Sequence, residues 1–276
     1  MTMAANPKPR LIASLLVHNG HVVQTRRFRP TNDVGSAFTA VDFFNSWAVD
    51  EIIVLEISAD DRHLDRFEAI VEGLSRRCFV PLTVGGKIDD LDRVRRYTRA
   101  GADKITLNTG ALARPQLISE IAEHFGRQCV VLSIDARRSA QMPSGYEAMG
   151  GRGRVPSGRD VREWALEGVA LGAGEILVNE IEHDGDKRGY DLDLVRMVSQ
   201  AVDAPVIAFG GVGSWDHLVD GVRLGHAQAV AAGNIFHSTE LSTKKAKEHM
   251  ARAGLPVRES TFYKIAMPRR PRYAPF

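Results

Sequence analysis

Two aspartates stand where apolar runs end. Asp135 closes Val130-Val131-Leu132-Ser133-Ile134, and Asp184 sits in Glu182-His183-Asp184-Gly185. A carboxylate at such a place can act as general acid or base when its neighbours move its pKa towards neutrality. An Asp-Gly turn explains Asp184 equally well. Asp135, with a buried run before it and Arg137-Arg138 after it, is the stronger candidate. If Ser14-Leu15-Leu16 corresponds to Ser133-Ile134-Asp135, the partner position of Asp135 holds Leu16, and half of an acid pair is missing.

Small residues follow four other apolar runs: Gly85-Gly86-Lys87, Asn108-Thr109-Gly110, Gly210-Gly211-Val212-Gly213 and Gly233-Asn234. Glycine lets backbone N–H groups approach an anion closely, and a helix N-terminus behind it favours negative charge. Two such pairs suit a substrate with a phosphate at each end, although tight strand-to-helix turns need the same glycines. Charges cluster where runs begin instead: Arg10, Asp50-Glu51, Asp103-Lys104 and Glu175. Alternating signs at one depth could close a ring of ion pairs, since lone buried charges are costly. Plain stabilisation of the strand ends is the other reading.

The elements that must position these residues are short β-branched runs alternating with amphipathic stretches. Strands are predicted over 11–17, 52–57, 79–84, 104–107, 129–135, 175–179, 205–209 and 227–232. Helices are predicted over 37–47, 64–76, 90–100, 115–125, 161–171, 193–202, 215–224 and 243–253. The strands are continuous rather than alternating apolar runs, as in parallel strands covered by helices. Eight β–α pairs predict a single (β/α)8 TIM barrel over residues 10–258, between an extension at 1–9 and a tail at 259–276. A doubly wound open sheet is the weaker alternative. The chain also repeats at half its length: Glu51 matches Glu175 (124 apart), Gly85 matches Gly210 (125 apart) and Asn108 matches Asn234 (126 apart). That constancy predicts two related half-barrels.

Composition agrees with a single soluble domain. Of 276 residues, 44% are hydrophobic and 25% charged, enough for a large core and against general disorder. Lys and Arg number 36 against 34 Asp and Glu, so no nucleic-acid footprint is expected. Cys78 and Cys129 have no metal-ligand spacing, which predicts neither disulfide nor metal and a reducing, cytoplasmic setting. No cofactor motif is present. Residues 1–10 lack the apolar core of a signal peptide, and no run is long enough to span a membrane. Positive charge gathers at residues 262–276, where Lys264, Arg269, Arg270 and Arg272 meet no acid. Pro268, Pro271 and Pro275 forbid a regular helix there. This stretch is either a docking segment or a disordered end.

From 10 to about 258 the chain resembles HisF, the cyclase subunit of imidazole glycerol phosphate synthase. The motifs are Gly101 to Thr109, Gly172 to Leu177, Asp184 to Asp191 and Phe209 to Gly213. The resemblance implies that ammonia from a HisH-type glutaminase, docked on the N-terminal barrel face, crosses the barrel to a phosphorylated small molecule at the other mouth. It implies an ammonia gate at Arg10, Glu51, Lys104 and Glu175, with Asp103 on the docking face. Phosphate positions are implied at Gly85, Gly86, Asn108, Thr109, Gly185, Gly210 and Gly211, with Gly233 and Asn234 replacing a small residue and a serine. Asp135 is kept, while Leu16 replaces the other catalytic aspartate. Gln24 replaces a lysine, Lys87 a glycine and Phe209 a serine. Losing a general acid or base costs about 10²–10⁴-fold in rate.

This pattern is similar to the HisF-like glycosyl amidation-associated (WbuZ-type) proteins. Leu15-Leu16, Asn19-Gly20, Asn45, Val49-Asp50-Glu51 and Glu240 to Lys247 carry that similarity. It implies ammonia delivery to an N-acetyl-sugar amidotransferase. Two other readings stand beside it: a working cyclase in which Glu56, expected to face the same mouth, or a water replaces the missing acid, and a silent scaffold that only activates a glutaminase. Arg26, Arg27 and Arg29 are expected in a mobile loop, closing over a phosphate or keeping the loop soluble. His18, His21 and His183 read as solvated loop residues, and Trp47, Trp164 and Trp215 as packing residues.

Overall fold

Strands buried on both faces need a cover on each side, and a closed barrel inside a ring of helices supplies it. The computed structural model describes residues 8–46, 48–237 and 241–258. Its parallel strands are β1 (Arg10–His18), β4 (Glu51–Glu56), β5 (Leu82–Gly85), β6 (Lys104–Leu107), β7 (Val130–Arg138), β10 (Glu175–Glu180), β11 (Val206–Phe209) and β12 (Ala229–Ala232). They pair in the order β10-β11-β12-β1-β4-β5-β6-β7, and β7 pairs again with β10, closing an eight-stranded barrel. The helices are α1 (Ala37–Ser46), α2 (Leu64–Ser75), α3 (Leu91–Arg99), α4 (Thr109–Ala113), α5 (Gln116–Phe125), α6 (Val161–Leu171), α7 (Leu192–Ala201), α8 (Trp215–Arg223) and α9 (Ser242–Arg252). The fold is a (β/α)8 barrel.

Two antiparallel hairpins interrupt the expected alternation: β2 (His21–Arg26) with β3 (Arg29–Gly35), and β8 (Tyr146–Gly150) with β9 (Val155–Asp160). Each follows the first strand of a half, β1 or β7, and pairs back onto it. The half-length repeat of the sequence thus appears as two similarly built half-barrels. Arg26 and Arg27 belong to the first hairpin rather than to a free loop. Strand ends differ slightly from expectation. Residues 79–81, which include Pro81, lie before β5, and Cys129 ends a 3₁₀ turn before β7. The predicted helix at 115–125 is preceded by a separate short one, α4.

The larger apolar core lies between strands and helices, where Trp164, Phe67 and Tyr97 are fully buried and the last two meet edge to face at 5.5 Å. Burying each such side chain contributes roughly 1.5–3 kcal/mol. Aspartate caps fix helix starts beneath the upper mouth. Asp160 accepts from the Arg162 and Glu163 N–H groups, and Asp191 from that of Leu194. A smaller cluster fills the barrel itself: Ile12, Leu16, Ile53, Val131, Leu177, Ile207, Phe209, Ala229 and Ala231 with Val23. Trp164 and Trp215 are packing residues, the latter stacked on Phe236. Trp47, Glu240, residues 1–7 and the tail at 259–276 lie outside the described residues. Among the described residues no helix is long and apolar enough to cross a membrane.

Candidate functional site

At the N-terminal mouth the first inward residues of β4, β6, β10 and β12 form one layer, as alternate strands do in such barrels. Three of these are Glu51, Lys104 and Glu175, and the fourth is only Ala229. Arg10, in register with Ala229, supplies the second cation. Arg10 Nη1 lies 2.7 Å from Glu51 and 2.9 Å from Glu175, and Lys104 Nζ lies 3.0 Å from Glu51 and 3.1 Å from Glu175. Two cations and two carboxylates therefore alternate in a closed ring. Its exposures of 13%, 1%, 16% and 12% for Arg10, Glu51, Lys104 and Glu175 put it at the edge of solvent. Burial lowers the Arg10 pKa, but the charges of Glu175 and Glu51 outweigh this and the net shift is upward.

Neighbours lock the ring in place. Thr83 Oγ1 donates to Glu51 at 2.8 Å. Asp50 accepts from the Leu11 N–H at 2.8 Å and from the buried Lys247 Nζ at 2.7 Å, tying the residues beside Arg10 and Glu51 together. Asp103 accepts from the Leu82 N–H at 2.8 Å, a strand-end bond next to Lys104. The sequence puts Asp50 among the charges at the strand starts but does not show its pairing with Lys247, and Thr83 is there one ordinary polar residue.

The strand registers fix the levels above the ring. Level two is Ile12, Thr83, Val131 and Ile207; level three is Ile53, Thr106, Leu177 and Ala231. Above these come Ser14, Gly85, Ser133 and Phe209, then Leu55, Asn108, Asn179 and Gly233, and finally Leu16 and Asp135. Every level carries at least one polar side chain in an otherwise apolar wall. Thr83, Thr106, Ser133 and Asp135 climb along the neighbouring strands β5, β6 and β7. The hydroxyls of Thr106 and Ser14 are buried and have no partner in the protein. Leaving such a group unpaired costs about 1–3 kcal/mol, so a small hydrogen-bonding occupant of the lumen would be welcome.

Asp135 ends this column at the C-terminal mouth. Asn108 Nδ2 donates to its Oδ2 at 2.6 Å and also to the Met149 carbonyl at 3.0 Å, which fixes the Asn108 amide orientation. Burial pushes the Asp135 carboxyl up to about 7, the Asn108 hydrogen bond opposes this, and the charge of Asp184 adds to it. A proton can therefore be held or released there near neutral pH. Leu16 packs in the barrel cluster and lines the cavity beside Asp184, where it offers no proton.

Asp184 is differently employed. Thr25 Oγ1 donates to its Oδ1 at 3.1 Å and the Phe28 N–H to its Oδ2 at 2.9 Å, so both oxygens hold the β2–β3 hairpin. Burial raises its pKa against those bonds. The hairpin is pinned again where Asn234 Nδ2 donates to the Thr25 carbonyl at 2.7 Å and Gln24 Nε2 to the Asn234 carbonyl at 3.3 Å. His183 Nδ1 lies 2.8 Å from the Gly189 carbonyl, a loop contact.

Gly185, Gly210, Gly211, Gly233 and Asn234 do come together, lining one cavity with Leu16 and Phe209. Packing already demands most of these glycines. An added Cβ would come within 2.1 Å of the Thr25 carbonyl at Gly185, 2.1 Å of Asn179 Oδ1 at Gly210 and 2.2 Å of the Gly189 carbonyl at Gly211. Gly233 differs: a Cβ there meets only the Ser14 carbonyl, at 3.3 Å. The other predicted group, Gly85, Gly86, Asn108 and Thr109, sits at the ends of neighbouring β5 and β6. Gly85 is pressed against Thr106 and Gly86 against the Glu56 carbonyl, and Thr109 Oγ1 accepts from the Gly151 N–H at 3.0 Å.

Glu56 does not face this mouth. Leu55 and Ile57 pack on the barrel cluster, so Glu56 takes the outer face. It accepts from the Ser58 N–H at 2.6 Å there, and burial raises its pKa. Among the described residues no three His, Cys, Asp or Glu side chains converge on a metal position.

These features define a (β/α)8 barrel with an ion-pair ring closing one mouth and a half-buried acid, Asp135, among glycine turns at the other. The model of the family described as histidine biosynthesis protein matches residues 10–242, and the chain belongs to that family as a HisF-like barrel protein.

Proposed function

We propose that the chain is the barrel subunit of a glutamine-dependent amidation system. A HisH-type glutaminase docks on the N-terminal face, ammonia passes the ring of Arg10, Glu51, Lys104 and Glu175, and it leaves beside Asp135. The supporting observation is the column of polar side chains, at least one per level, between that ring and Asp135. Ammonia is small, neutral and both donor and acceptor, so a largely apolar lumen with spaced hydroxyls suits it and disfavours ions. Asp135, with a carboxyl near neutrality, is poised to take up or return one proton as ammonia emerges.

Leu16 argues against the two-acid chemistry of the cyclase, and with the WbuZ-type similarity it favours an external acceptor, an N-acetyl sugar held by a separate amidotransferase. A working cyclase is the second reading, favoured by the neutral-range Asp135, which could serve in turn as acid and base. Ammonium with the bis-phosphorylated ribulosyl substrate separates the two. Turnover by the purified chain at about 1 s⁻¹ or faster would establish the cyclase, whereas the delivery reading expects none, with Leu16→Asp restoring some.

A further inference from the structure

The four strands whose first inward residues make the ring layer all start with the same backbone bond. The N–H groups of Asp50, Asp103, Gly174 and Gln228 each lie one residue before that layer. They donate to the carbonyls of Leu11, Leu82, Val130 and Val206 on the neighbouring strands, at 2.9, 2.9, 2.9 and 3.0 Å. At three of these corners a side chain returns the bond. Asp50 accepts from the Leu11 N–H, Asp103 from the Leu82 N–H and Gln228 Oε1 from the Val206 N–H, each at 2.8 Å. The Asp50 corner is tied further to α9, where the buried Lys247 Nζ donates to Asp50 Oδ1 at 2.7 Å and to the Ala48 carbonyl at 2.8 Å. The corner before β10 has no such side chain. A Cβ on Gly174 would come within 2.2 Å of the Arg127 carbonyl, so none fits, and the Val130 N–H donates to that same carbonyl instead.

The two ring carboxylates divide in the same way. Glu51 is fully buried and uses both oxygens, Oε1 on Thr83 and Lys104 and Oε2 on Arg10 and Lys104. Glu175 meets Arg10 and Lys104 with Oε1 alone, and its buried Oε2 has no partner among the described residues. Turning Glu51 away would break four contacts and strand its charge in the protein, a costly outcome. Turning Glu175 away breaks two, lets its idle oxygen find water, and leaves both cations still paired with Glu51. We propose that the ring opens on one side only: Glu175 and the β10 corner move, while the Asp50–Lys247 pair holds Arg10 and Glu51 as the fixed side. Asp50 and Lys247 are then positioning residues, acting through Leu11 and the start of β4 on the two ring members beside them. The inference rests on the reading of the ring as a gate, and it adds which member moves and what restrains the others.

Hydrogen exchange in the full chain alone compares the four equivalent backbone bonds without glutaminase or ammonia. Corrected for intrinsic rates, the Gly174 N–H should exchange at least about tenfold faster than those of Asp50, Asp103 and Gln228. Double-mutant cycles in urea read the side chains. Lys104→Met should couple with Glu51→Gln by roughly tenfold in the unfolding constant, and with Glu175→Gln by only about twofold. Asp50→Asn combined with Lys247→Met removes both buried charges together, so the fold should survive. In that background the coupling of Lys104 with Glu51 should fall to about the value for Glu175. A pair that served the fold alone would alter overall stability and leave the coupling as it was. Gly174 exchanging as slowly as the other three, equal couplings at the two glutamates, or a Lys104–Glu51 coupling unmoved by loss of the pair overturns the proposal. None of these measurements transfers nitrogen, so their failure would leave the delivery reading standing. Failure of delivery with the asymmetry intact would sink that reading alone.

Discussion

Thr106→Val should make the protein more stable and a worse conduit at once. The Thr106 side chain faces the lumen two levels above the ring, is 2% exposed, and its hydroxyl has no partner in the protein. Valine has the same shape without the hydroxyl. An unpaired buried hydroxyl costs about 1–3 kcal/mol, so its removal should stabilise the fold by roughly 1 kcal/mol once partial compensation is allowed. Ammonia would lose one hydrogen bond at that level, also worth about 1 kcal/mol, and passage should slow by roughly fivefold to tenfold. Urea unfolding reads the first effect as a shift in midpoint with unchanged slope. The second is read in the reconstituted system as the rate with glutamine divided by the rate with saturating ammonium. Ordinary core damage would lower stability, and a decorative hydroxyl would leave the ratio alone. A destabilised variant, or a ratio unmoved in a stabilised one, would refute the role given to the polar column.

The ring, the glycines and Asp135 give three further expectations. Lys104→Met leaves Glu51 and Glu175 sharing Arg10 alone, so unfolding free energy should drop by about 3 kcal/mol in urea, whereas a loss under 0.5 kcal/mol would mean the ring is slack. Gly233→Ala should change stability by less than about 0.5 kcal/mol, while Gly211→Ala, at φ +87° against a carbonyl, should cost about 1–3 kcal/mol. The upward shift of Asp135 from 3.8 to about 7 means the native state binds a proton that the unfolded state has released. Stability from this group is then full below pH 3.8 and falls as pH rises to about 7, and Asp135→Asn should flatten that part of the profile. Parallel profiles for the two proteins would contradict the buried-proton assignment.

The barrel was readable because its strands are buried on both faces and form continuous apolar runs. That same property hid which residues face inward. Glu51 to Glu56 reads Glu-Ile-Ile-Val-Leu-Glu, apolar on both faces, so parity is undetermined until the barrel closes, and Glu56 lies on the face opposite to the one expected. Ser14, Thr83, Thr106 and Asn179 were overlooked for a related reason: one hydroxyl or amide in a strand has no pattern, and only the registers stack them. The β2–β3 hairpin escaped notice because β3 is exposed and contains Pro30. Asn19-Gly20, with both residues at positive φ, turns β1 back into β2 and is the sequence signal for the start of this antiparallel excursion; the β2–β3 turn itself, Arg27-Phe28, carries no glycine or asparagine. Asp184 and Asp186 acquire their partners from a hairpin nearly 160 positions away, a distance no local motif spans.

In the proposed delivery of ammonia, nitrogen travels inside the barrel. The most direct test is isotope partition in the chain reconstituted with a HisH-type glutaminase and the acceptor amidotransferase. Glutamine labelled with ¹⁵N at the amide is supplied together with excess unlabelled ammonium, and the product is analysed by mass spectrometry. A sealed lumen predicts product carrying predominantly ¹⁵N, with the label diluted when Lys104→Met opens the ring. Product labelled no more than the bulk ammonium pool, in the unaltered protein, would mean that ammonia escapes to solvent first and that the barrel conducts nothing.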